Sequence, residues 1–192
     1  MLKGLVDPAN VFGVEIDLEI ITKDPQILFC NVDSDRFPFP DTRFDFVISV
    51  WGMEHFQTEH LFEEAKRVLK PGGHFIFLTP NYANPIFITA KLFGPSFADF
   101  YYKRILKLAY EPHTAYYRFN RVGDLKRVAN SVGLTLDHLT FLGPGPALWY
   151  ARFSRVIQWV MRVVDFCLTL PIVCHLKPYL YVDLKKAPHT DI

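Results

Sequence analysis

The stretch from Phe44 to Thr79 constrains the fold more than any other part of the chain. FDFVISV (Phe44–Val50) and HFIFLT (His74–Thr79) are short apolar runs rich in aromatic and β-branched residues. Between them, His55–Leu69 places Phe56, Leu61, Phe62, Ala65, Val68 and Leu69 among glutamates and lysines. Apolar runs of this length read as strands buried on both faces of a parallel sheet, and the spaced pattern reads as an amphipathic helix. Pro71 and the pair Gly72-Gly73 are expected to stop that helix. Strand, helix and strand in so short a span form one parallel crossover unit, a right-handed connection. The chain is therefore expected to be α/β.

The flanks extend the pattern. VFGVEI (Val11–Ile16) and ILFC (Ile27–Cys30) read as two earlier strands, Gly123–Val132 as a helix closed by Gly133, Leu134–Phe141 as a strand, and Tyr179–Leu184 as the last strand. Residues 81–118 break the rhythm with Pro85, Pro95, Pro112 and many aromatics, and read as an inserted helical cap. Ala147–Leu170 reads as a long apolar helix within an apolar C-terminal segment, residues 147–176. A length of 192 residues suits one domain over residues 1–192.

Composition removes several function classes. Half the residues are hydrophobic and 21% are charged, which is too apolar for a disordered chain. A formal net charge of +1 offers no global field for nucleic acid. Cys30, Cys167 and Cys174 form no C-x-x-C pair and are odd in number, which argues against a disulfide framework or zinc site and fits a reducing cytoplasm. Cys167 and Cys174 read as small buried hydrophobes. The N-terminus lacks the basic and apolar pattern of a secretory signal. The uncharged stretches His138–Ala151 and Phe166–Leu176 fall short of the roughly 18 residues a spanning helix needs.

Glu15 stands at the tip of an early strand, where a carboxylate can accept both hydroxyls of a ribose. A solvated strand-end acid is the alternative. Asp33 follows the next strand and could accept from an adenine amino group. The series VDSDRFPFPDTRFDFVISVWGMEHF, then EEAKRVLKPGGHFIFLTPN, resembles the class I S-adenosylmethionine-dependent methyltransferases, in the group with an LPF segment, an E-H pair and RVLKPGG. The resemblance covers Val11–Val132 and, loosely, the last strand.

It implies a Rossmann-like sheet, mostly parallel with an antiparallel last strand, and S-adenosylmethionine as cofactor. Glu15 would hold the ribose, Ile16 would pack on the adenine, and Asp33 with the Ser34 backbone would read the adenine edge. Ser49 and Trp51 would line the methionine side. His55 would line the pocket and Tyr82, Tyr116 and Tyr117 would shape the acceptor site; the aromatic cap and the apolar C-terminal helix suggest a small, apolar or lipid-like acceptor, with oxygen as the attacked atom.

One departure shows by counting. The Gly-rich turn of such folds lies about 20 residues before the ribose acid, and only Gly4 and Gly13 precede Glu15. The first strand and its Gly-rich loop are thus expected to be missing, leaving the sheet divided between the strand ending at Glu15 and Phe44–Val50. The 192-residue chain is then expected to hold S-adenosylhomocysteine weakly or not at all.

Glu54 and His55 invite comparison with an E-x-x-E-H metal motif, but Trp51 stands at the leading position, and two adjacent ligands make a poor hard-cation site. No metal is expected. His113 in EPHTAYY is the best-placed residue for a general base; its segment could equally serve to dock the cap. Arg152, Arg155 and Arg162 share one face of the Ala147–Leu170 helix, which suits either anionic lipid or a helix closing the site with its arginines in water. A cytoplasmic enzyme is expected, with membrane association, a small-molecule acceptor and no nucleic acid as the partner readings. Its rivals are a non-catalytic binding partner and a peripheral membrane protein.

Overall fold

The computed structural model describes residues 7–15, 22–85, 88, 115–143, 155–168 and 170–188. Two short strands, β1 (Gly13–Glu15) and β2 (Ile27–Phe29), pair in parallel, with Gly13 opposite Ile27 and Glu15 opposite Phe29. A separate four-stranded sheet holds β3 (Phe44–Val50), β4 (Leu69–Pro80), β5 (Leu134–Leu142) and β6 (Tyr179–Lys186), in the order β3-β4-β6-β5. β3 and β4 run parallel, while β6 is antiparallel to both its neighbours. The strands on the two sides of the expected missing centre thus lie in different sheets.

Helix α1 (His60–Val68) buries Leu61, Phe62, Ala65 and Val68 on one face, and α2 (Val122–Val132) buries Leu125, Val128 and Ala129. Both faces meet Phe75 and Phe77 of β4, Leu180, Val182 and Leu184 of β6, and Leu134 of β5 in one core. Full burial of each such side chain contributes about 1.5 to 3 kcal/mol. Gly133 ends α2 at φ 76°, as its sequence position predicts, and a Cβ there would come within 2.9 Å of Lys66 Nζ. That ammonium donates to Val132 O at 2.6 Å, so α1 satisfies a terminal carbonyl of α2.

Several boundaries differ from expectation. The helix expected from His55 begins at His60, because residues 53–55 form a separate 3-10 turn and the Gln57 and Thr58 amides are taken by Asp33. The KPGG segment does not end the helix. Leu69 is already extended, and β4 runs through Pro71, Gly72 and Gly73 as an irregularity in the pairing between Phe44 and Phe46 of β3. Gly72 takes φ 79°, and a Cβ on Gly73 would stand 2.9 Å from Lys70 O and 3.1 Å from Asp45 O. The glycines therefore permit a close backbone approach inside the sheet. Expected strands Val11–Ile16 and Ile27–Cys30 are shorter than the sequence suggests.

The small sheet is tied to the rest. Phe12 sits against Phe39 and Phe44 at ring-centroid distances of 6.0 and 6.1 Å, and Arg43 lies over its ring. The other face of the large sheet is open: Phe46, Ile48 and Val50 of β3 are each more than half exposed. Helix α3 (Arg155–Cys167) shows exposed Val156, Trp159 and Phe166. Cys167 is exposed and Cys174 half-buried, against the expectation of burial; Cys30 is buried. Most of the expected cap lies outside the described residues. No described helix is long and apolar enough to cross a membrane.

Candidate active site

The loops leaving β2, β3 and β4 meet at one end of the molecule. Asp33, beyond β2, accepts from the Gln57 and Thr58 amides beyond β3 through Oδ1, at 2.9 and 3.2 Å. Tyr116 and Tyr117 donate their amides to Glu54 O at 2.7 and 3.2 Å. Tyr82, beyond β4, donates its amide to Asn120 O at 2.9 Å, and Arg118 donates through Nη1 to Gln57 O. This places a crevice outside the carboxyl ends of the strands, the usual ligand position in open α/β sheets.

Backbone strain concentrates there. Trp51, the first residue beyond β3, takes φ 60°, and Tyr117 takes φ 52°. Such a conformation costs a bulky residue about 1 to 3 kcal/mol and is tolerated where the surroundings dictate it. The Trp51 amide donates to Leu78 O, and its ring meets Tyr179 edge-on at 4.8 Å. Ser49 lies beside Gly52, where an added Cβ would stand 3.1 Å from the Ser49 hydroxyl.

Glu15 closes β1 and its carbonyl accepts from Cys30 N. Asp33 is engaged through Oδ1, so Oδ2 is the oxygen it can offer an adenine amino group. Ser34 N–H donates to Asn31 O at 3.1 Å, and its hydroxyl to Asp35; the backbone donor assigned to the adenine edge is thus held within the turn. His55 ends the 3-10 turn Met53–His55 and is half-buried. Ile16 and His113 lie outside the described residues.

Tyr82 is buried and Tyr116 exposed, so the structure brings the three expected acceptor-side tyrosines to one place at different depths. Two buried polar oxygens at this end have no hydrogen-bond partner among the described residues: Glu54 Oε2 and Asn120 Oδ1. Burial pushes the Glu54 carboxyl above the usual carboxylate range, against smaller opposing effects of a backbone hydrogen bond and the His55 charge. Asn120 Nδ2 donates to Thr79 Oγ1 at 2.6 Å and Pro80 O at 3.0 Å. Asn81 Nδ2 donates to His175 O and Lys177 O, and Asn84 Nδ2 to Leu176 O, which pins the segment leading into β6 beside β4.

A cavity of about 540 Å³ opens here, walled by Ile88, Val122, Phe141 and His175 with Tyr82 and Arg121 at its edge. Sequence reasoning missed Asn120, Arg118 and Arg121. The only signal for the arginines is their spacing of three directly before a helix. A different grouping, His74, Asp137 and Asp183, brings one ligand-type atom from each residue within 4.8 Å of the others. It lies six residues, roughly 20 Å, back along β4 from the crevice, and His74 Nδ1 is 2.8 Å from Asp183 Oδ1.

The family model described as a methyltransferase domain matches residues 1–77. The fold compares with solved structures over nearly the whole chain. An S-adenosylmethionine-dependent methyltransferase from Mesorhizobium loti aligns at TM-score 0.55 and 18% identity, over 92% of this chain and 80% of that one. A SAM-dependent methyltransferase from Thermotoga maritima aligns at TM-score 0.57 and 15% identity, over 93% and 74%. One from Archaeoglobus fulgidus aligns at 0.55 and 15%, over 91% and 75%. Residues 1–77 match the methyltransferase-domain model, and the chain as a whole shares the fold of these solved methyltransferases. No curated protein sequence matches it. The four-stranded sheet with its antiparallel β6 is the part of this fold that the sequence resemblance anticipated.

Proposed function

We propose that this methyltransferase domain transfers a methyl group from S-adenosylmethionine to a small acceptor with an apolar body. The observation that carries the reading is the junction of the β2, β3 and β4 exit loops at Asp33, Gln57, Glu54 and Tyr82. That junction sets an acidic side beside β1 and β2 next to an apolar cavity beyond β4. The donor group, when bound, supplies an activated methyl on a sulfonium, so the protein's task is chiefly to hold the partners at reacting distance.

Glu15 binds the ribose hydroxyls and Asp33 Oδ2 the adenine amino group. Ile16 packs on the adenine, and Ser49 and Trp51 border the reacting end. Tyr82, Tyr117, Phe141 and Val122 exclude water from the acceptor. His113 takes the proton from an attacked hydroxyl, which makes oxygen the favoured atom. Incubation of the chain with methyl-labelled S-adenosylmethionine and a panel of small apolar alcohols, phenols and amines tests the reading: labelled ether supports it, label transfer to amines alone removes the preference for oxygen, and no transfer to any of them counts against the reading.

A second reading draws on α3, whose Val156, Trp159 and Phe166 are exposed beside Arg155 and Arg162. Contact with an anionic lipid surface would cover them. Co-sedimentation with phosphatidylserine vesicles tests it, and recovery in the supernatant alone rejects it.

A further inference from the structure

A second cavity adjoins the apolar one, sharing Tyr82 and Arg121 as its wall, and it is polar where the first is apolar. Arg118, Arg121 and Arg127 line it with Tyr116, Tyr117 and Asp124. Arg127 is paired with Asp124 at 2.8 Å, which neutralises that charge. Arg118 donates to an uncharged carbonyl, that of Gln57, and the Arg121 guanidinium lies over the Tyr82 ring, 5.1 Å from its centroid. Three guanidiniums against one carboxylate leave two positive charges facing the cavity. No described carboxylate pairs with either Arg118 or Arg121.

We propose that Arg118 and Arg121 form an anion subsite for the acceptor, and that the acceptor is a small phosphate monoester whose apolar body fills the adjoining chamber. The step rests on the methyl-transfer reading and adds the substrate class to it. Two uncompensated guanidiniums match a dianionic head group better than a monoanionic carboxylate, because each can donate charge-assisted hydrogen bonds to separate phosphate oxygens. The chamber of about 540 Å³ falls in the range of roughly 300 to 1,000 Å³ that small-ligand sites occupy. A lipid bilayer could present the same phosphate chemistry, but an adjoining apolar cavity of small-ligand size favours a free molecule. Its size also limits the apolar body to that of a small ligand.

The experiment is equilibrium titration of the full chain with hexyl phosphate, hexanol and inorganic phosphate, with S-adenosylhomocysteine titrated in parallel. Hexyl phosphate should bind at least about tenfold more tightly than either hexanol or inorganic phosphate, since each lacks one half of the match. Arg118→Gln and Arg121→Gln should each weaken hexyl phosphate about tenfold or more and leave hexanol unchanged. Should a variant lose its fold, the wild-type chain still decides: hexyl phosphate affinity should fall several-fold as salt rises from about 0.05 to about 0.5 M, where surface charge is screened.

Equal binding of hexyl phosphate and hexanol, or affinity indifferent to both arginines and to salt, overturns the subsite. Binding to vesicles of phosphatidic acid that depends on these arginines, without binding of hexyl phosphate, overturns the assignment to a free molecule. Arginine-dependent binding of hexyl phosphate with no binding of S-adenosylhomocysteine keeps the anion site and overturns the methyl-transfer reading. The converse result, S-adenosylhomocysteine bound and hexyl phosphate not, overturns the subsite and leaves methyl transfer standing.

Discussion

Tyr82 stacks on Tyr117 with ring centroids 5.0 Å apart and planes 15° from parallel. The stack joins the exit of β4 to the segment that enters α2, and Tyr117 reaches it from a left-handed backbone conformation. Tyr82 is therefore a structural post of the crevice as well as a wall. Tyr82→Ala should cost about 3 to 5 kcal/mol, the usual loss for a buried aromatic truncated to a methyl. Tyr82→Phe keeps the ring and should cost far less. Denaturant unfolding of both variants measures the difference, and equal losses would show that the hydroxyl, not the stack, holds the position.

Glu64 and Arg67 predict acid sensitivity. Glu64 is buried, accepts from Phe37 N at 2.7 Å, and meets Arg67 through both oxygens at 2.8 and 2.6 Å. The Arg67 hydrogen bonds, with the Phe37 amide and the guanidinium charge, hold its carboxyl below the usual range despite burial. A lowered folded value gives stability that is present above the unfolded value near about 4.3 and lost as pH falls through the folded one. Glu64→Gln should reduce stability by about 1 to 3 kcal/mol at neutral pH and flatten the loss in acid. Parallel pH profiles for the two proteins would exclude this source.

Glu54 has the opposite sign. Its raised carboxyl leaves stability untouched in acid and removes it as pH rises from the unfolded value through the folded one. Glu54→Gln should then gain on the wild type as pH climbs. Thermal melting across that range reads the crossing trend, and a constant offset at all pH values would contradict it.

Cys30 is buried and its thiol is pushed up to about 11, by burial first and by the Asp35 and Glu64 charges next. Near pH 8 it stays protonated and inert. Iodoacetamide should label exposed Cys167 quickly and Cys30 only after unfolding. Fast labelling of Cys30 in the folded chain would contradict its placement in the core.

The legible parts of the fold were those set by local pattern. Phe44–Val50 forms a strand with the bounds its apolar run suggests, and Gly133 ends α2 because its φ of 76° lies in the left-handed region that a residue with a Cβ adopts only under strain. The start of α1 was not legible from period alone. Phe56 continues the apolar spacing, yet Asp33, distant in sequence, captures the next two amides and holds that linker out of the helix. KPGG misled for a related reason: its glycines answer to the Asp45 carbonyl of a neighbouring strand. Of the proposed site, Glu15 and Asp33 are expectations of motif position, and the tyrosines are expectations of the aromatic segment that holds them. Arg118 and Arg121 could not be named from the sequence, since their meaning comes from the cavity that β4, α2 and residues 115–121 enclose together.

In the proposed reading this chain holds the adenosine half of its donor through Glu15 and Asp33. Calorimetric titration of the 192-residue chain with S-adenosylhomocysteine, beside Glu15→Ala, tests it most directly. Saturable binding by the wild type, weakened by about tenfold or more in the variant with its circular dichroism unchanged, is the expected result. Equal affinity in the two proteins would contradict the placement of the adenosine site.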